Sequence, residues 1–385
     1  MMQSRSSTGS QGARRRPTSV LDSPLLAFLR QPDIVDGLDL RSWDELLVAA
    51  RSANLAGRVA EAVMQRGGLP SVPAPVQPHI VSATRLSAHQ REAIAHECRE
   101  LEAALSPLNV PVVLLKGAAY VMTGRRAALG RLFGDIDILV PRVSLNQTEA
   151  ALMLRGWSVG SLDPYDNRYY RRWMHELPPM THRERGTALD VHHHVLPLTA
   201  RWTTDVESLL ARRIAIPGSM FSALAPEDMV VHSAVHLFHE GQLRNGLRDL
   251  SDLDALLREF NELHPGFATR VVARALELGL AWPVDLALHL CTELLLTPID
   301  PSTMDEIRRR SGLGDLHRQL LCAAYRRALL PAYPATRTLA VPMARALLYV
   351  RAHALRMPLP RLAWHLVRKA VLRTVKHSSR MGTMA

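Results

Sequence analysis

Two rhythms of hydrophobic and polar positions divide the chain: long stretches with apolar residues three and four apart, and a central block of short apolar runs. Residues 21–67 have the helical rhythm, and Gly67-Gly68 closes that unit. Within it, Ser42 and Glu45 fit a capping box. A proline-rich connector over 70–78 leads into one long predicted helix over 79–105, with Leu86, Ile94, Leu101 and Leu105 near one face. Ser106-Pro107 stops it.

In the centre, residues 112–115 predict a buried strand, 117–122 the start of a helix, and 124–130 a loop carrying Arg125 and Arg126. Residues 136–140 predict a strand closed by Pro141. Ser144 and Gln147 suggest a capping box for a helix running to Arg155, with Gly156 as its stop. Residues 157–159, 168–174 and 188–192 read as further strands. From about Asp205 the pattern is helical. Pro226 suits a first helical position, with Glu227 and Asp228 in the first turn. Further helices are expected over 247–260 and near 268–280, 284–296, 303–311, 315–330 and 340–356. A last one, over 359–376, is amphipathic with a basic face.

Chemistry concentrates in Gly134-Asp135-Ile136-Asp137-Ile138-Leu139-Val140. Residues two apart on a strand face the same way, so Asp135 and Asp137 aim together while Ile136 and Ile138 face the core. Two adjacent carboxylates repel, and burying them unpaired is costly; a divalent cation resolves the conflict. Asp190 alternates with His192 in a second strand and is the natural third acid. Mg²⁺ favours such oxygen ligands, and two-metal platforms of this kind serve phosphoryl and nucleotidyl transfer. Lys116 or the Gly117 backbone can meet a triphosphate, and Arg131 another phosphate oxygen.

Composition sharpens this picture. Only Lys116, Lys369 and Lys376 are lysines among 47 basic residues, so a lysine just ahead of the aspartates stands out in a chain that uses arginine by habit. With 385 residues, 47% of them hydrophobic, the chain can hold two or three domains and a sizeable core. No run of about 18 residues is apolar and uncharged, so no transmembrane segment is expected. The three scattered cysteines suit a reducing, cytoplasmic location. Residues 1–20 are polar and Ser/Arg-rich, expected to be a disordered tail; they mimic a transit peptide in composition only. The net charge of +11 resides in the C-terminal region, where Asp315 is the only acid after Ile307. That surface suits solvent, an anionic partner such as nucleic acid, or an anionic membrane surface.

Other side chains offer weaker signals. His192-His193-His194 suggests zinc, but alternation turns His193 away and leaves one functional histidine with two surface neighbours. His232, His236 and His239 share a helix face but lack the glutamate of a zincin motif; packing, or substrate contact by His236, is the expectation. His175-Glu176 is a candidate acceptor contact, and Tyr169, Tyr170 and Trp173 are candidate core or groove wall.

Lys116-Gly117, Arg131, Asp135-Ile-Asp137 and Leu189-Asp190-Val-His192 together resemble the uncharacterised nucleotidyltransferases of the polymerase-β-like superfamily, over roughly residues 80–260, a span that includes the later helix with His236 and the Leu-Arg-Asp-Leu segment around Asp249. The superfamily's usual Gly-Ser at the phosphate turn is replaced here by Lys116-Gly117. The resemblance implies an α+β fold: a small mixed sheet with helices, flanked by N-terminal helices and a C-terminal helical domain. It implies a helical region over 21–105, a catalytic core over 106–200, a helical substrate-side domain over 201–300 and a basic helical region over 301–385. The implied activity is Mg²⁺-dependent transfer of a nucleoside monophosphate from an NTP, expected to be ATP, to a hydroxyl of a small molecule or protein side chain. Asp135 and Asp137 would hold both metals, and Asp190 one of them while activating the acceptor. The rivals are a nucleic-acid 3′-end transferase and an inactive nucleotide-binding scaffold.

Overall fold

The computed structural model describes residues 23–160, 164–200, 202, 204–239, 241–331 and 339–356. The expected tail over 1–20, the basic helix over 359–376 and the side chain of Tyr169 lie outside them.

The N-terminal stretch forms helices α1 (Pro24–Arg30), α2 (Leu40–Ser52), α3 (Ala56–Arg66) and α4 (Gln77–Leu105). The α2 cap is Asp39, whose carboxylate accepts from the Ser42 N–H at 2.8 Å, so the helix starts ahead of the expected capping box. Along α4, Ile94, Leu101 and Leu105 are buried, but Leu86 is 47% exposed. Eight helical residues separate Leu86 from Ile94, a rotation of about 80° beyond two full turns, which carries Leu86 off the buried face.

The central block then alternates: β1 (Val113–Leu115), α5 (Lys116–Met122), β2 (Ile136–Leu139), α6 (Leu145–Leu154), β3 (Trp157–Val159), α7 (Pro164–Trp173), β4 (Met180–His182) and β5 (Ala188–His192). Ser144 makes no side-chain cap to α6, because a 3₁₀ turn over Arg142–Ser144 already leads into that helix. The expected strand over 168–174 is instead the end of α7. Pro164 opens that helix, and the sheltered residues Tyr170, Trp173 and Met174 recur at three and four, a helical period that aromatic content had disguised as a strand.

Strands β6 (Ile214–Ala215) and β7 (Ser222–Ala223) form a two-residue ladder too short for alternation to reveal, and β4 was hidden for the same reason. All seven strands make one mixed sheet in the order β3-β4-β5-β2-β1-β7-β6. The remainder is helical: α8 (Val206–Ala211), α9 (Pro226–His239), α10 (Gly246–Leu263), α11 (Phe267–Glu277), α12 (Ala281–Leu295), α13 (Pro301–Arg310), α14 (Asp315–Ala328) and α15 (Ala340–Arg356). Among these, α9 is buried on nearly every side and packs against α10, α11, α12 and α15. The result is a mixed α/β architecture whose buried apolar side chains form one continuous core from Leu25 to Leu348. No helix among the described residues is long and apolar enough to cross a membrane. Cys98, Cys291 and Cys322 are buried free thiols.

Two close approaches tie the N-terminal helices to the loop ahead of β2. A Cβ on Gly130 would lie 2.4 Å from the Gly57 carbonyl oxygen, and Gly130 has φ +63°, so both space and backbone demand glycine. Beside them, Arg58 of α3 donates to the Ala127 and Ser251 carbonyls and pairs with Asp252 of α10.

Candidate active site

β2 is buried along its length: Ile136 and Ile138 enter the core, and Asp137, 3% exposed, points the other way. β5 runs parallel to β2 with Asp137 beside Asp190 and Leu139 beside His192. Neighbouring strands lie about 4.8 Å apart, so this register brings the two carboxylates together. Asp135, just ahead of β2 and open to solvent, completes a group whose ligand oxygens lie within 4.8 Å of one another.

Lys116 follows β1, whose last residue pairs with Asp137. Its backbone adopts φ +45°, a left-handed conformation costing a non-glycine residue about 1–2 kcal/mol. From there Nζ donates to Asp137 Oδ1 at 2.8 Å. His192 Nε2 meets the same oxygen at 3.0 Å. A Cβ on Gly117 would lie 2.6 Å from Arg131 Nη1 and 2.7 Å from the Phe133 ring, so only glycine fits under the guanidinium. Arg131 lines the cavity but is 6% exposed, and its Nε donates to Asp252 at 2.8 Å. One edge of that guanidinium is therefore already held by α10.

These groups face a cavity of about 290 Å³. Its walls include all the expected site residues, Lys116, Gly117, Arg131, Asp135, Asp137, Asp190, His192 and His236, together with His175 and Glu176. The first turn of α10 adds Arg248 and Asp249, from the Leu-Arg-Asp-Leu segment of the resemblance, and the loop before it adds Gln242 and Asn245, which the sequence had not singled out. Arg248 donates to Asp249 at 2.7 Å and to the Leu132 carbonyl at 3.1 Å. Leu247 and Leu250 on either side are buried, so this turn of the helix packs on the core while Arg248 and Asp249 line the cavity.

The remaining histidines separate into different roles. His193 is 6% exposed, and His194 is half-buried and hydrogen-bonds to the Thr204 carbonyl and the Leu196 N–H, so neither is the surface residue expected. Both backbone N–H groups turn to the His175 carbonyl, which draws them inward. His232, His236 and His239 all line a small void shared with His192, and His239 also packs against Trp202 and Trp282.

The family model of an uncharacterised nucleotidyltransferase family matches residues 39–296. The chain belongs to this nucleotidyltransferase family. No curated protein and no solved structure matches it. The match extends beyond the 80–260 span of the motif resemblance on both sides. It thus takes in the helices that Gly57 and Arg58 lock to the site, and it ends just past α12.

The electrostatics of this nucleotidyltransferase's cavity are uneven. Burial pushes the Asp137 carboxyl up, but Lys116 and the His192 hydrogen bond outweigh it and hold the group well below the usual carboxylate range. Burial raises Asp190 to about 7, helped by the negative charges of Asp137 and Glu176. Asp135, at the solvent edge of the cavity, is also raised, by desolvation from the surrounding protein and then by Asp137. Like charges are thus gathered with one ammonium among them. An all-oxygen donor set in this state fits a hard divalent cation such as Mg²⁺.

Proposed function

We propose that this chain is a Mg²⁺-dependent nucleotidyltransferase with a polymerase-β-like core, moving a nucleoside monophosphate from ATP to a hydroxyl of a small molecule or protein side chain. The observation that carries the proposal is the in-register pairing of Asp137 with Asp190, with Asp135 completing the carboxylate group. Asp135 and Asp137 would hold two metal ions, with Asp190 sharing one. Bound there, Mg²⁺ supplies positive charge to the triphosphate and the reacting oxygens. Lys116 Nζ and the Gly117 backbone face the incoming phosphates, with Arg131 Nη1 above Gly117 in long contact with the Leu132 carbonyl. Asp190 takes the proton of the acceptor hydroxyl as that oxygen bonds to the α-phosphorus. The bond from the α-phosphorus to its bridging oxygen breaks, and pyrophosphate leaves. His192 and His236 line the acceptor side.

The test uses ATP labelled at either the α- or the γ-phosphate, with Mg²⁺ and a cell extract. Label from the α-position should become covalently attached to an acceptor, and label from the γ-position should not. Transfer that persists in the Asp135→Asn, Asp137→Asn double variant would sink the mechanism. Mass spectrometry of the labelled product identifies the acceptor.

A further inference from the structure

Behind the carboxylate group lies a second cluster with different ligand chemistry. We propose that His175, Glu176 and His192 bind a zinc-class divalent ion. Its ligands differ from those of the Mg²⁺ platform, which it touches through the His192–Asp137 contact, and it does not rest on the transfer reaction.

The donor geometry comes first. Glu176 Oε2 lies 3.7 Å from His175 Nε2 and 3.5 Å from His192 Nδ1, and one ligand atom from each residue falls within 4.8 Å of the others. These separations are too long for hydrogen bonds. They are close to the edge of a zinc tetrahedron, which for bonds of about 2.0–2.1 Å is about 3.3–3.4 Å. Shifts of a few tenths of an ångström would close both edges.

His175 supplies an independent sign. Its side chain is only 11% exposed, its Nδ1 is buried without a hydrogen-bond partner, and its Nε2 faces Glu176 from 3.7 Å, beyond hydrogen-bond range. Nε2 is therefore held by no hydrogen bond while aimed at a carboxylate, and a metal ion between the two would engage both. His192 supplies another. Its Nε2 already meets Asp137 at 3.0 Å, which leaves Nδ1 directed at Glu176. A metal-bound histidine commonly gives its other ring N–H to a carboxylate in this way, which fixes the ring and raises its basicity.

The backbone holds the cluster in register. Glu176 forms a bridge with His192, Leu177 N–H donates to Val191 at 2.9 Å, and His193 N–H donates to the His175 carbonyl at 2.8 Å. This segment continues the β4 edge of β5 beyond Pro178-Pro179, whose missing N–H groups interrupt the ladder. Beside His175 and His192 is a void of about 20 Å³, sufficient for one water at an open fourth position. Two imidazoles and one carboxylate favour zinc-like ions, whereas Mg²⁺ keeps to oxygen.

The test is a Co²⁺ titration of the metal-stripped full chain, with excess Mg²⁺ present to occupy the carboxylates, followed by visible absorption. The expected result is one equivalent of Co²⁺ with the intense bands of a low-coordinate, imidazole-bound ion, displaced by one equivalent of Zn²⁺. His175→Ala and Glu176→Gln should each weaken it at least about tenfold, whereas Asp135→Asn should leave it unchanged. Absence of those bands from the folded wild type would overturn the proposal, as would an unchanged titration in both variants. If His175→Ala does not fold by circular dichroism, the near-isosteric Glu176→Gln decides.

Discussion

Two charge clusters lie close together in this protein, and they are built on opposite plans. Asp252 sits between two guanidiniums, Arg58 and Arg131, and every charge there faces an opposite one. A short distance away, Asp135, Asp137 and Asp190 crowd one another, with Lys116 and His192 both engaged on a single oxygen of Asp137. The first cluster is electrically closed and joins α3, the loop ahead of β2 and α10. The second is electrically open: Asp190 rises to about 7 because its neighbours are also acids. Closed clusters hold structure together; an open one is stable only once a cation, or a proton, fills it.

The contrast is broken most severely at Asp252. Asp252→Ala strands two buried guanidiniums and is expected to cost about 3–5 kcal/mol in chemical denaturation. A loss under 1 kcal/mol would mean that the pairing does not hold the helices to the loop. Gly130→Ala attacks the same junction through the backbone, by setting a Cβ 2.4 Å from the Gly57 carbonyl at a positive φ. Roughly 2–4 kcal/mol should be lost, read by the same method.

The open cluster should respond with the opposite sign. Because the folded Asp190 holds its proton up to about 7, against 3.8 for an ordinary aspartate, the folded state binds more protons between those values. Stability of the metal-free protein therefore falls as pH rises through that window, and the full cost is present above pH 7. Asp190→Asn removes the cost and should stabilise the metal-free protein by about 2 kcal/mol at pH 8, with the gain vanishing below about pH 4. A destabilised Asn variant at pH 8 would contradict this. The smallest effect is proton release on Mg²⁺ binding. Calorimetry in buffers of different ionisation enthalpy should detect up to about one proton near pH 6 and almost none above pH 8.

Much of this was legible in the chain. The Asp135-Ile-Asp137 alternation, the strand carrying Asp190 and His192, and an outlying Lys116 follow from period and composition, because a strand fixes where every second side chain points. The helices after Asp205 were legible from prolines, glycines and apolar spacing. The α7 segment was not, because aromatic residues suit strands and helices alike when the stretch is short. Nor was the contact that Arg248, in a segment the resemblance had marked, makes with the Leu132 carbonyl, because it joins α10 to a loop far away in the chain. The link between Gly57 and Gly130 is a contact between distant backbones, and such contacts leave no mark in local pattern.

The distinction between the two clusters is tested most directly by Mn²⁺ titration of the metal-stripped protein, followed by electron paramagnetic resonance, in wild type and in the Asp135→Asn, Asp137→Asn variant. Mn²⁺ stands in for Mg²⁺ at oxygen ligands. The wild type should bind it, and the variant should bind it more weakly by about a hundredfold or more, since even the outer partners of a metal site are worth 10–100-fold. Equal binding by the two proteins would contradict the assignment of the carboxylate group as the metal platform.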